Sequence, residues 1–230
     1  MMATKKRFYK SVLLADDGLT ILLDGRNLRS PAGSLLRLPT MSLASVIADE
    51  WRAQGDDIDP ATLPLFSLAV TVVDRIIPQR DAIIAELSAY GGNDLLCYRD
   101  DQDDLASRQQ DQWQPWLDDL AENRDIALQI VTGIMPICQP DAAKFPPLIS
   151  AYDDWRLGML HRATTLSGSL VLGLGFVDMV IDDERMFTLA FLDELWQNEK
   201  WGIDFEAADR HEFLRTELQD VARFLALLGD

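Results

Sequence analysis

Only two histidines occur in the 230 residues, His161 and His211, and neither lies in an HExxH run or beside a cysteine. A zinc site would need more ligands than these supply, so both read as surface or helix-end histidines. A nucleophile elbow needs GxSxG, which is absent. Ser167-Gly168-Ser169 falls in an apolar helical run, where small residues allow close helix packing rather than acyl transfer. Gly173-Leu174-Gly175 lacks the third glycine of a dinucleotide fingerprint and follows no strand. Gly91-Gly92-Asn93-Asp94 could cradle an anion, but a helix stop followed by a turn explains it as well. The clustered carboxylates (Asp100, Asp101, Asp103 and Asp104, then Asp118-Asp119, Asp153-Asp154 and Asp182-Asp183) have no calcium-loop spacing. They read as solvated loops and helix N-termini.

One element concentrates large aromatics and carboxylates: Leu192 to Gly202, LDELWQNEKWG. On a helix, Asp193, Trp196 and Lys200 share a face, while Leu192, Leu195 and Glu199 follow another. The plain expectation is an amphipathic helix whose tryptophans fill a core. The sharper one is a partner-binding face, because tryptophan is enriched at interface hot spots. A divalent metal held by Asp193, Glu194 and Glu199 would make the chain a carboxylate enzyme, the main catalytic alternative.

The elements that would carry these residues follow from punctuation and period. Strand-length runs are expected at Phe8–Ala15, Leu19–Leu23, Asn27–Ser30 and Leu35–Leu38, separated by Asp17-Gly18, Asp24-Gly25 and Pro31-Ala32-Gly33-Ser34. Thr40 caps a predicted helix from Met41 to Gln54 with Leu43, Ile47 and Trp51 on one stripe and Gly55 as its stop. Helical patterns then cover Leu65–Asp74, Pro78–Tyr90 and Asp104–Glu122, the last interrupted or restarted at Pro115. Ala127–Val131 reads as extended and 133–147 as irregular. Three further helical stretches span about 148–178, 182–200 and 204–228. The fold class is α+β: a small β-rich N-terminal domain followed by a larger α-helical one.

Charge divides the chain at the same place. Residues 1–75 hold 9 Lys/Arg and 9 Asp/Glu, whereas 76–230 hold 12 and 29, which accounts for the whole formal charge of −17. Domains at 1–75 and 76–230 are the expectation. A field of that sign disfavours nucleic acid and anionic lipid as partners. The uncharged stretch Ala163 to Val177 is shorter than the ~20 residues of a membrane span and reads as a buried helix. Cys97 and Cys138 form no framework and are expected to be buried thiols. The basic start MMATKKRFYKSV has no apolar segment behind it, so no signal peptide is expected.

Five stretches, in order, resemble one family: RFYKSV (Arg7–Val12); LDGRNLRSPAGSLLRLPT (Leu23–Thr40); EWRAQGDDIDPATLPL (Glu50–Leu65), continuing to Val73-Asp74-Arg75; AYGGNDLLCYR (Ala89–Arg99); and TTLSGSLVLGLG (Thr164–Gly175) with LDELWQNEKWG after it. The chain resembles the assembly chaperones for the α subunit of the F-type ATP synthase catalytic head, found in mitochondria and related bacteria. That resemblance implies a β-rich N-terminal domain, a helical C-terminal domain and no catalysis, cofactor or metal. It implies a protein that binds the free α subunit and prevents its aggregation until the β subunit replaces it. It maps the family's functional glutamate to Glu194 and puts Asp193, Trp196, Glu199, Trp201, Gly202 and Trp51 among the partner-binding candidates, although a core ring remains the plainer reading of Trp51. Two positions depart from the pattern: Val70 stands where a small polar residue is expected, and Leu195 where the neighbour is often acidic. A monomer in the bacterial cytoplasm, or in the mitochondrial matrix for a mature eukaryotic form, is expected. An adaptor for another protein partner is the remaining alternative. Reversing the charge at Glu194 is expected to leave the fold intact and impair α-subunit protection.

Overall fold

The computed structural model describes residues 5–203 and 205–229. It is α+β, with short strands gathered towards the N-terminus and helices dominating the rest. Two compact units are present: residues 5–80 with 154–159 and 223–229, and residues 81–153 with 160–222.

In the first unit β1 (Lys5–Lys6) pairs with β5 (Asp57–Ile58), and β2 (Val12–Leu14), β3 (Ile21–Leu23) and β4 (Arg26–Asn27) form an antiparallel meander. The strands are shorter than the hydrophobic runs predict. At β2 the reason is chemical: the backbone N–H groups of Lys10 and Ser11 donate to the Asp24 carboxylate at 3.1 and 2.8 Å, so they never join the ladder. Asp24 and Gly25 both take positive φ, 48° and 77°, and form the two-residue hairpin turn that an Asp-Gly pair favours. The expected strand Leu35–Leu38 contributes only single bridges, Arg29 to Leu35 and Thr20 to Arg37.

Helix α1 (Met41–Arg52) starts where Thr40 Oγ1 accepts from the Leu43 N–H, and it ends at Arg52 rather than Gln54. Its buried stripe is Leu43, Ile47 and Trp51, as the period predicts, and the helix packs on β2. Glu50, also on α1, accepts the N–H groups of Leu65 and Phe66 at 2.9 Å each. Those are orphan donors at the start of α2 (Pro64–Thr71), which continues as a turn of π-helix over Val72–Ile76. Gln54 secures the loop between, donating to Glu50 O and Thr62 Oγ1 and accepting from the Asp59 N–H. Asp74 accepts from Ser30 Oγ at 2.6 Å and from the Ala32 N–H at 3.2 Å, which ties the Pro31–Ser34 turn to the end of this helical segment.

The second unit holds α3 (Arg80–Gly91) from Asp81 onward, β6 (Tyr98–Arg99) parallel to β7 (Val131–Thr132), α4 (Asp103–Arg124), α5 (Phe145–Ser150), α7 (Leu170–Val177), α8 (Asp183–Ala190) and α9 (Leu192–Trp201). It also takes the later part of α6 (Asp154–Ser167) and most of α10 (Phe205–Leu228). The predicted start of the last helix, Asp204, lies outside the described residues.

Helix α4 corrects the expected break at Pro115: it is continuous across it. The missing N–H would cost about 3 kcal/mol in a helix interior. Pro115 and Asp111, whose carbonyl loses its partner, are both on the solvent side, and the opposite face buries Leu105, Gln109, Trp113, Leu117 and Leu120. Burial at ~1.5–3 kcal/mol per large side chain outweighs the defect.

Ser167-Gly168-Ser169 also differs from its reading within a helical run. Gly168 takes φ +74°, α6 stops, and Ser169 caps α7 by accepting from the Leu172 N–H. The close packing expected there is not found, since a Cβ on Gly168 would meet nothing within 4 Å; the crowded glycine is Gly173, where a Cβ would lie 2.6 Å from Thr164 Oγ1. Both histidines are buried, not surface residues: His161 Nε2 faces Glu86 at 3.3 Å, and His211 lies against Phe187 and Phe191. Cys97 is buried as expected, but Cys138 is exposed; both are free thiols.

Candidate functional site

Helix α9 follows α8 almost directly, with Phe191 as the joint. Its inner face meets α4. Asp193 accepts from Gln109 Nε2 at 2.8 Å, Lys200 pairs with Asp104 at 2.8 Å, and Arg108 grips Glu199 through two hydrogen bonds of 2.8 and 2.9 Å. Trp196 is buried between these polar links, with Lys200 over its ring at 5.3 Å. Burial raises the Asp193 pKa, against the opposing hydrogen bond from Gln109. The Arg108 hydrogen bonds hold Glu199 below the usual carboxylate range.

Glu194 faces α10 instead. Its Oε2 accepts from Arg210 Nη1 at 2.7 Å and sits 2.8 Å from His211 Nε2. Burial pushes its pKa up, but the hydrogen bonds from His211 and Arg210 prevail and the net shift is downward. The carboxylate is therefore held ionised between two groups of α10 that read as unrelated in the sequence.

A cleft of about 460 Å³ opens beside this pair, lined by Leu195, Asn198, Ile203, His211, Glu212 and Arg215 among others. At its end α9 closes on Gly202, whose φ of +91° suits a glycine after a helix, and its N–H donates to Asn198 O. Trp201 and Ile203 flank that glycine, each 70% exposed, and Phe213 on α10 is 57% exposed. Trp201 meets Trp196 edge-on at 5.6 Å, so the exposed ring stands on a buried one. Exposed large apolar side chains beside a cleft are the surface chemistry of a protein-binding site.

The structure thus gathers Asp193, Glu194, Trp196, Glu199, Trp201 and Gly202 onto α9 and its end. It does not gather Asp193, Glu194 and Glu199 into a metal site, because each carboxylate turns to a different partner. Among the described residues no group of three or more His, Cys, Asp or Glu is placed to hold a metal. Trp51 belongs to the first unit, buried with its ring edge-on to Phe66 at 5.0 Å.

Sequence reasoning missed Arg210 and the pairing of His211. A signal existed: His211, Leu214, Leu218, Val221 and Leu225 are spaced as one helical face, and all are buried. A histidine at the head of an apolar stripe is inside the protein and needs a polar partner.

Comparison with known proteins decides the family. The family model for the ATP12 chaperone protein matches residues 6–121, half of the chain. The chain belongs to the ATP12 chaperone family. The structure of Atp12 from Paracoccus denitrificans is similar over 97% of this chain and 98% of that one, with 38% identity and a TM-score of 0.90. That of the Atu1473 protein of Agrobacterium tumefaciens is similar over 98% and 87%, with 35% identity and a TM-score of 0.88. The mitochondrial protein atp12 of Schizosaccharomyces pombe is 24% identical over 241 residues, 97% of this chain and 82% of its own length. Membership in the ATP12 family makes the chain a chaperone of ATP synthase assembly. Among the described residues no helix is long and apolar enough to cross a membrane.

Proposed function

We propose that this ATP12-family chain holds the free α subunit of the ATP synthase catalytic head, without catalysis, until the β subunit displaces it. An unpaired α subunit exposes apolar surface meant for β, and such surface aggregates. A chaperone covering it lowers the concentration of sticky client, and must bind more weakly than β so that exchange runs forward. The observation that carries this reading is the exposure of Trp201 and Ile203 at the end of α9, where Ile203 lines the α9–α10 cleft.

In this reading Trp201 is the anchor, Gly202 lets the chain leave α9 at the angle that presents it, and Trp196 supports it from below. Glu194 acts as a positioning residue. Its Oε2 is already engaged by both Arg210 and His211, so its task is to hold α10 against α9 and keep the cleft formed. Asp193 and Glu199 fix α9 to α4 in the same way.

The test is light scattering of denatured α subunit diluted into the purified chain, with co-purification of α and β tried separately. Suppression of α aggregation near equal stoichiometry, and release of α on adding β, are expected. Replacing Trp201 by Ala should weaken suppression about tenfold or more without changing the circular dichroism spectrum. No association with α, or equal association with β, would overturn the proposal.

A further inference from the structure

The first unit carries a second cleft that nothing in the α9–α10 site uses. Its volume is about 820 Å³, within the range of ligand-binding pockets. Its aromatic lining is Phe8, Tyr9, Trp51 and Phe66, with ring centroids of neighbouring pairs 5.0–5.5 Å apart. Phe8 is 60% exposed although it belongs to this cluster. The charged residues that line the cleft are Lys5, Arg26, Arg29 and Asp24.

Three features distinguish this cleft from a packing irregularity. The first is charge. In a chain of net −17, the cleft presents three cations and a single carboxylate, and that carboxylate is consumed by the N–H groups of Lys10 and Ser11 and the Ser11 hydroxyl. Arg26 sits on the exposed strand β4 with its side chain in solvent. The second is an unsatisfied donor. Trp51 is 94% buried, being 6% exposed, and its indole N–H meets no acceptor among the described residues. Buried tryptophan N–H groups ordinarily find a partner. The third is construction. Tyr9 donates its hydroxyl to Trp51 O at 2.7 Å, and Glu50 next to Trp51 fixes the start of α2, which carries Phe66. The aromatic floor is rigidly built rather than loosely packed.

We propose that this cleft is a second client-docking site, taking a segment of the client polypeptide that carries Asp or Glu beside an apolar side chain. The apolar side chain lies on the aromatic floor against Phe8, and the carboxylates meet Arg26, Arg29 and Lys5. Nucleic acid is the poorer occupant of a cationic cleft here, because the −17 of the whole chain opposes a polyphosphate. This inference rests on the reading of the chain as a holder of an unassembled subunit, and adds a separate surface to it.

The test is photo-crosslinking in the full chain with purified α subunit, placing benzoylphenylalanine at position 8 or at position 201. Both positions should crosslink, and the peptides captured at position 8 should be rich in Asp and Glu. Arg26→Glu should reduce the yield at position 8 about tenfold and added salt should reduce it further, with position 201 unchanged. Crosslinking at 201 but not at 8 would overturn this inference and leave the proposed function standing. Crosslinking at neither would overturn the proposed function and this inference with it. Crosslinks at 8 that resist both Arg26→Glu and salt, or that join two copies of this chain, would also overturn it.

Discussion

Asp94 offers the sharpest test of how the second unit is held. It is completely buried, at the turn between α3 and β6, and its carboxylate serves two elements at once. Oδ1 accepts from the Leu96 N–H at 3.0 Å and from Ser169 Oγ at 2.7 Å, while Oδ2 accepts from the Val171 N–H at 3.0 Å. The donors at Ser169 and Val171 are the start of α7, so Asp94 caps a helix 75 or more residues away. Burial pushes its pKa up to about 6 against those hydrogen bonds, so an ionised Asp94 is costly even when fully bonded. Asp94→Ala removes every acceptor and strands buried donors, each worth ~1–3 kcal/mol; the loss should be about 3–5 kcal/mol.

Asp94→Asn isolates the titration. Because the folded pKa, about 6, exceeds the ordinary aspartate value of 3.8, the folded state binds the proton more tightly than the unfolded one. Its contribution is fully present below the lower value and is lost as pH rises to the upper one. Two pKa units at ~1.4 kcal/mol each give about 3 kcal/mol. Urea unfolding of the wild type and Asp94→Asn between pH 3.5 and 7.5, followed by near-UV circular dichroism, supplies the difference. The wild type should lose about 3 kcal/mol relative to the variant between pH 4 and 6, with no further change above. A difference that stays flat, or that grows with pH, would refute the argument that burial outweighs the donors.

Three other outcomes follow from the same structure. Glu50→Ala should cost about 2–4 kcal/mol in urea unfolding, since it leaves the Leu65 and Phe66 N–H groups without their acceptor. Gly173→Ala should cost about 1–3 kcal/mol, because the added methyl group would sit 2.6 Å from Thr164 Oγ1 and 3.3 Å from Leu160. A thiol reagent at pH 8 should label Cys138 quickly and spare Cys97 until the chain unfolds: burial and the Asp94 charge push the Cys97 pKa up to about 12, while Cys138 is exposed.

Local patterns proved legible where local forces act. The Asp24-Gly25 turn, the Thr40 cap and the Leu43–Ile47–Trp51 stripe stand where the residues place them. The α+β class follows from the same signals. Pro115 misleads because its penalty is local while the burial that overcomes it is spread along α4. The β2 strand begins late because a carboxylate fourteen residues from Lys10 takes its N–H. The scarcity of histidine says nothing about where each one sits, whereas helical phase does: His211 shares the phase of the buried Leu214 and Leu218. At the candidate site, α9 was legible as a mixed aromatic and acidic helix, but its division of labour was not. Which carboxylate turns to α4 and which to α10 depends on side chains 16 to 91 residues distant.

Charge reversal at Glu194 therefore needs a different expectation from the one its sequence suggests. On an isolated helix surface it would cost little, but here Glu194→Lys would set a second cation against Arg210 and remove the acceptor that Arg210 and His211 share. Loss of client protection by that variant would then report an opened α9–α10 cleft as readily as a lost client contact. Glu194→Gln keeps the shape and weakens the link, and Arg210→Ala attacks the same link from the other helix. If Glu194 positions α10, both variants should lower α-subunit protection together while benzoylphenylalanine at position 201 still crosslinks, only less efficiently. If Glu194 instead touched the client, Arg210→Ala would free its carboxylate and strengthen protection. The sign of the Arg210→Ala effect separates the two roles, which loss of activity in Glu194→Lys alone cannot do.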